Sequence, residues 1–222
     1  MEKRIFQIGQ SIMQYRVPQG LMDEVNDSFD KRKQKKLPPA NDFLVGKIKN
    51  ETLLYQSQRD AEYKTCNYLS VRTTDWLMQA FKDYVDTLKI GKLALSLSSV
   101  WVNEMKSGEY NPCHIHSSNV SLIGLSSVMI LKLPKSYGKE PSNPERPVNG
   151  RLEFLGNTNG QFVSNNFMPD LEVGNFFIFP YDLRHTVYPF SNSKQKRRTL
   201  AANVDAILYS RHVAIQGFRG NE

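Results

Sequence analysis

The chain contains four histidines, and two of them stand two residues apart, in Asn111-Pro-Cys-His114-Ile-His116. In an extended segment, residues i and i+2 point to the same face. Both imidazoles can therefore close on one cation while Ile115 turns away. His185 follows 69 residues after His116, just past the apolar run Phe176–Phe179 and Pro180. In a β structure that gap spans several strands, enough to return the chain to the same mouth. Two ligands on one strand and a third on a later one describe a facial triad, which leaves three positions open on an octahedral ion. An H-x-H pair alone is weak, because most histidines sit on a surface or in a satisfied core. It needs further chemistry nearby to gain weight.

That chemistry lies in Arg197-Arg-Thr199-Leu-Ala201-Ala-Asn203. By strand parity Arg197, Thr199, Ala201 and Asn203 share one face. Arg197 and Thr199 then offer a guanidinium fork and a hydroxyl side by side, a pair suited to the distal carboxylate of a small dicarboxylic acid. The plain alternative for Arg197 is a solvated basic turn, since Lys194, Lys196 and Arg198 surround it. Arg198 points to the opposite face and reads as such a solvated residue.

The elements around these residues change character along the chain. The first forty residues read as a short strand, with apolar Ile5, Ile8 and Ile12, then a helix carrying Leu21, Met22, Val25 and Phe29. That helix runs out in Lys31–Lys36 and is stopped by Pro38-Pro39. The clearest helix spans 74–90, capped by Thr73 or Thr74, with Gly91 at the expected left-handed C-terminal position. From Leu93 to Asn103 the pattern alternates as a long strand. Short strand-like runs follow: Cys113–His116, Ser126–Leu133, Arg151–Leu155, Gln161–Phe167, Asn175–Pro180, Thr186–Phe190 and Arg197–Tyr209, separated by Gly, Asn, Pro and Ser clusters. This predicts an antiparallel sandwich or barrel. A single domain is expected over 1–222: a helix-rich support in 1–91, a β core in 92–210 and a tail in 211–222. The stretch Lys135–Gly150 has no strand or helix period, and a loop of that length is either a lid or a plain surface segment.

The chain has 222 residues, 40% of them hydrophobic and 23% charged, a globular composition able to bury a core without staples. Two cysteines, Cys66 and Cys113, are too few for a disulfide framework. No apolar run reaches the ~20 residues a membrane helix needs, and the start lacks the pattern of a secretory signal. A cytoplasmic location is the expectation, with no membrane partner. The net charge of +7 is local: Lys31, Arg32, Lys33, Lys35 and Lys36 in one patch, Lys194, Lys196, Arg197 and Arg198 in another. Without these nine, 20 basic residues stand against 22 acidic ones, which argues against a nucleic-acid surface running across the fold. The Lys31–Lys36 run reads as a solvated helix end, with a site for an anionic partner as the alternative.

In order along the chain, Trp101-Val-Asn103, Gly108-Glu-Tyr-Asn-Pro112, His114-Ile-His116, Ser126–Pro134, Gly150-Arg-Leu-Glu-Phe154, Pro169, Gly174, Phe179-Pro180, Leu183, His185, Val187, Pro189 and Arg197–Asn203 resemble the 2-oxoglutarate and Fe(II)-dependent oxygenases. The likeness is strongest to a branch common in marine bacteria and phages, and it covers roughly residues 95–205. The resemblance implies a mainly β double-stranded β-helix, or jelly roll, braced by the N-terminal helices. It implies Fe(II) held by His114, His116 and His185. The cosubstrate 2-oxoglutarate would lie with its far carboxylate on Arg197 and Thr199 and with Asn103 within reach, and O2 would be the oxidant. The activity implied is a dioxygenase, in particular a hydroxylase acting on a peptide or protein residue such as proline.

Two departures bear on this. The wider superfamily has a carboxylate two residues after the first histidine, where this chain has His116. Three neutral imidazoles would alter metal preference, unless His116 stands behind the metal and Glu153 or Asp182 supplies an oxygen. The chain also has Ser126-Ser-Val-Met-Ile-Leu131 where the branch carries aromatic residues near its pocket, which leaves the substrate open; the sequence does not give the oligomeric state either. A cupin-like metal-binding protein without oxygenase activity would keep the three histidines and not need Arg197.

Overall fold

The structure is a computed structural model that describes residues 2–41, 44–57, 65–139, 145, 147–157, 165–191 and 194–208. The first elements are a hairpin, β1 (Lys3–Ile8) and β2 (Gln10–Arg16), turned at Gly9 with φ 87°. Helix α1 (Gln19–Asp30) and strands β3 (Asn50–Gln56) and β4 (Cys66–Asn67) precede helix α2 (Val71–Leu88). The remaining strands are β5 (Leu93–Met105), β6 (Asn111–His114), β7 (Gly124–Lys132), β8 (Leu152–Leu155), β9 (Asn166–Phe167), β10 (Asn175–Pro180), β11 (Arg184–Val187) and β12 (Arg197–Leu208).

These strands form two antiparallel sheets. The larger runs β1-β2-β10-β7-β12-β5-β3-β4, and the smaller runs β6-β11-β8-β9. The order β10-β7-β12-β5 opposite β9-β8-β11-β6 alternates strands between layers, and that alternation is a jelly roll. The expectation of a mainly β jelly roll with bracing helices is met. The N-terminal ninety residues do more than brace it, because β1 to β4 widen the large sheet at both edges. Residues 158–164, most of the expected strand over Gln161–Phe167, lie outside the described residues, as do His212 and the rest of 209–222.

The large sheet buries both faces. On the outer face, Val100, Val102, Leu200, Ala202, Met129, Phe176 and Ile178 meet Leu21, Val25 and Phe29 of α1 and Leu77, Phe81 and Tyr84 of α2. On the inner face, Ile130, Phe177 and Phe179 meet Leu152, Phe154 and Val187 of the small sheet. Each such fully buried side chain is worth ~1.5–3 kcal/mol. The helix ends differ from the sequence expectation. α2 starts earlier, capped by Ser70, whose hydroxyl accepts from the Thr73 N–H at 3.2 Å. Ser70 wins because Glu24 of α1 accepts from the Ser70 N–H (2.8 Å), the Ser70 hydroxyl (2.7 Å) and the Thr73 hydroxyl (2.7 Å), so the cap also ties the two helices. At the other end Lys89, at φ 53°, takes the left-handed position expected of Gly91.

Candidate metal centre and cosubstrate pocket

Strand pairing decides where the histidines go. His185 on β11 is the direct cross-strand partner of His114 on β6, and their ring centroids are 4.3 Å apart. His116 lies just past the end of β6, where its N–H donates to the Tyr181 carbonyl at 2.8 Å. That bond folds its ring back to 5.0 Å from His185 and 5.1 Å from His114. One ligand atom from each lies within 4.8 Å of the others, the spacing of donors around a single ion.

The protons are placed for ligation. The Nδ1 of His114 faces the Pro112 carbonyl at 2.7 Å, and that of His185 faces the Leu183 carbonyl at 2.9 Å. A carbonyl only accepts, so each Nδ1 carries the proton and each Nε2 keeps its lone pair. Burial pushes the His114 pKa down. It holds His116 well below the usual value, helped by its two neighbours, and burial with the nearby His114 takes His185 to about 3. All three rings are therefore neutral near pH 7, the form that binds metal. The two carboxylates considered from the sequence are engaged elsewhere. Glu153 accepts from Asn166 at 2.9 Å and from the Tyr188 hydroxyl, and Asp182 accepts from Gln10 at 2.7 Å. Neither belongs to the histidine cluster.

Beside the cluster is a cavity of about 270 Å³ lined by His114, His116 and His185 and by Arg197, Thr199, Asn103, Trp101 and Asn203. The register explains the common wall. Thr199 pairs with Asn103, Ala201 with Trp101 and Asn203 with Ser99 across β12 and β5, and the bulge in this pairing falls after Asn203. The i, i+2 parity from Arg197 to Asn203 therefore holds. Arg197 is 3% exposed, and among the described residues nothing pairs with its Nε or Nη2. Burial lowers its pKa, and the Tyr137 phenol opposes that shift. An unpaired buried guanidinium is costly unless a ligand satisfies it. The buried Oδ1 of Asn103 is also without a partner among the described residues.

Arg198 corrects the expectation of a solvated residue. It is 6% exposed and bonds Glu104 at 2.6 Å, Asp30 at 2.7 Å and Asn26 at 2.8 Å, and it stacks over the Phe29 ring at 4.4 Å. It locks α1 to the outer face of the sheet. In the Lys31–Lys36 run, Lys31 pairs with exposed Asp27 at 2.6 Å, as a solvated helix end does. Cys113 is exposed and Cys66 partly buried.

Sequence reasoning missed three residues. Glu51 and Gln56 of β3 line the cavity because β3 pairs with β5, placing Glu51 beside Asn103 and Gln56 beside Ser99. Strand β3 carried no clear alternation, so nothing pointed to either one. Tyr137, in the long loop after β7, reaches Arg197, and its hydroxyl is buried without a partner among the described residues.

Residues 99–203, a segment holding all three histidines, Asn103, Arg197 and Thr199, match the family model described as "Putative 2OG-Fe(II) oxygenase". That segment is similar to a 2OG-Fe(II) oxygenase domain. No curated protein matches the chain in sequence. Solved structures resemble this chain in fold. A Pseudomonas putida prolyl-4-hydroxylase is 14% identical with a TM-score of 0.53, the match covering 87% of this chain and 91% of that one. A Trichoplax adhaerens prolyl hydroxylase, in complex with a hypoxia inducible factor oxygen degradation domain peptide fragment, is 13% identical with a TM-score of 0.54 and coverages of 87% and 83%. A non-heme α-ketoglutarate-dependent epimerase of nogalamycin biosynthesis is 11% identical with a TM-score of 0.53 and coverages of 87% and 76%. Identities this low establish the shared jelly roll. The epimerase shows why fold alone does not choose the reaction. No helix among the described residues is long and apolar enough to cross a membrane.

Proposed function

We propose that this chain is a hydroxylase that uses Fe(II), 2-oxoglutarate and O2 to oxidise a peptide or protein residue such as proline. The observation that carries the reading is Arg197: a buried guanidinium whose Nε and Nη2 have no partner among the described residues, in the wall of the cavity that also holds three neutral imidazoles. His114, His116 and His185 would hold Fe(II). Bound Fe(II) supplies the redox chemistry by which one atom of O2 enters 2-oxoglutarate, giving succinate and carbon dioxide, and the other enters a substrate C–H bond.

The chain's own residues do the positioning. The Arg197 fork takes the far carboxylate of 2-oxoglutarate and Thr199 donates its hydroxyl to the same group. Asn103, next to Thr199 across the strands, is placed to bond the cosubstrate. Trp101, packed with Leu53 and Ala201, keeps that wall dry. A peptide substrate is supported by Val45 and Ile115, exposed apolar residues that line the cavity, and by the exposed Val120, Leu122 and Ile123 in the segment that follows Ile115 in the chain.

The test is succinate release on adding Fe(II), 2-oxoglutarate and proline-containing peptides, with His185→Ala as the blank. The expected result is succinate above the blank and a peptide that gains one oxygen atom by mass. Metal binding without any 2-oxoglutarate binding would favour the cupin-like alternative, and the buried Arg197 argues against that outcome.

A further inference from the structure

Two of the three histidines have a carbonyl oxygen that fixes their tautomer, and among the described residues the ring of His116 has none. Its Nδ1 faces the Asn203 carboxamide instead, with Nδ2 at 3.5 Å. Its Nε2 lies 3.2 Å from the Nε2 of His185. The Nδ1 of His185 is committed as a donor to Leu183, so its Nε2 can only accept. The His116 proton is then on Nε2, donated to His185, and its Nδ1 accepts from the Asn203 amide. The chain of bonds is consistent throughout, but it puts a proton on the atom that would have to bind metal. It also leaves the Asn203 Oδ1 buried and without a partner among the described residues.

We propose that Asn203 is a positioning residue that selects the His116 tautomer, its carboxamide turning over when the metal site fills. The inference rests on the three-histidine metal reading. Ligation through Nε2 moves the His116 proton to Nδ1. A half-turn of the carboxamide then presents Oδ1 to that N–H at the place Nδ2 now holds. The unpartnered oxygen gains a donor and the ring gains the acceptor that Pro112 and Leu183 give the other two. A backbone carbonyl cannot play both parts, because it only accepts. A carboxamide has both ends.

The position fits the task. Asn203 is the last residue of β12 on the cavity face before the bulge, and it is 8% exposed. Its register partners Ser99 and Ser126 are small, which leaves the amide room to turn.

The experiment combines metal titration with histidine 15N NMR on the full chain. In the metal-free protein, His116 should show Nε2 protonated. On adding Zn(II), a diamagnetic probe, it should show Nδ1 protonated. Asn203→Asp presents only acceptors, so it should hold the Nδ1–H tautomer before metal is added and keep Co(II) affinity at or above that of the parent. Asn203→Leu offers neither end and should lose about 10–100-fold in Co(II) affinity. Its circular dichroism and thermal melt separate that loss from misfolding, and Asn203→Ser, smaller and polar, gives a second variant if the leucine form does not fold. An Asn203→Leu protein with parental Co(II) affinity, or a Zn(II) form whose His116 Nδ1 stays unprotonated, overturns the inference and leaves the triad standing. Parental protein that binds neither metal overturns the triad and the inference together.

Discussion

His114 and His185 face each other as direct partners across β6 and β11, the rings 4.3 Å apart. This relationship makes the site depend on sheet pairing, since a one-residue slip of β11 would turn His185 to the other face. His185→Ala should reduce Co(II) or Fe(II) affinity by more than roughly 100-fold, the upper end of what losing even an outer partner costs. Cys113→Ala, exposed and of opposite parity, should leave affinity unchanged. Titration followed by the Co(II) absorption spectrum distinguishes the two, and an unchanged His185→Ala titration would remove that ring from the centre.

Arg197 and Arg198 are neighbours in sequence with opposite environments, and their alanine variants should fail in opposite ways. Arg197→Ala removes the fork inside the cavity. It should weaken 2-oxoglutarate binding by roughly 100-fold, as expected for losing a charged hydrogen-bonded pair, with little loss of folding stability because its Nε and Nη2 have no partner among the described residues. Arg198→Ala strips Glu104 and Asp30 of their shared partner. It should cost about 3 kcal/mol, the low end for breaking a buried ion pair, while 2-oxoglutarate affinity stays within about twofold. Calorimetric binding and urea unfolding on both variants give the four numbers.

The parts of the site carried by parity were legible in the sequence. Arg197 and Thr199 stand two apart within β12, so their common face follows from backbone geometry alone, whereas His116, two after His114, lies beyond the end of β6 and is placed by the bond from its N–H to Tyr181. An antiparallel sandwich or barrel was legible as short strands with turn punctuation, and the jelly roll came from the family likeness. What could not be read depends on which strand lies beside which. Glu51 and Gln56 enter the cavity only because β3 pairs with β5. Tyr137 reaches Arg197 only because its loop packs on Phe190, their rings 5.6 Å apart. Arg198 was misread because a run of basic residues looks solvated until α1 is docked over it with Asp30 and Asn26.

Glu51 gives the protein a stability term that runs against the usual direction for a carboxylate. Burial, with Glu109 nearby, raises its pKa from 4.5 to about 7. The folded state therefore holds a proton that the unfolded chain has released, and stability falls as pH rises from 4.5 through 7. The full shift is worth up to about 3 kcal/mol, reduced by whatever solvent screens. Glu51→Gln keeps an oxygen for the Asn41 amide, which now donates to Glu51 at 3.0 Å, and removes the titration. The variant should melt higher than the parent at pH 8, with the gap closing towards pH 5. Thermal melts at both pH values test the sign, and a gap that widens in acid would contradict the buried, protonated carboxyl.

Tyr137 completes the argument about the cosubstrate end of the cavity. Its hydroxyl and the Arg197 Nη2 are both buried donors without a partner among the described residues, and the two groups interact electrostatically. The guanidinium can donate to the phenol oxygen, which leaves the phenol O–H to donate to a carboxylate held on the same guanidinium. Tyr137→Phe removes one donor and keeps the ring that packs on Phe190. It should raise the 2-oxoglutarate dissociation constant about 10-fold, the value of one hydrogen bond to a charged group. Co(II) affinity should not change, since the ring is not among the metal donors. A parental 2-oxoglutarate affinity in Tyr137→Phe would mean that the carboxylate sits on Arg197 and Thr199 alone, and that the hydroxyl serves only to shield the guanidinium from water.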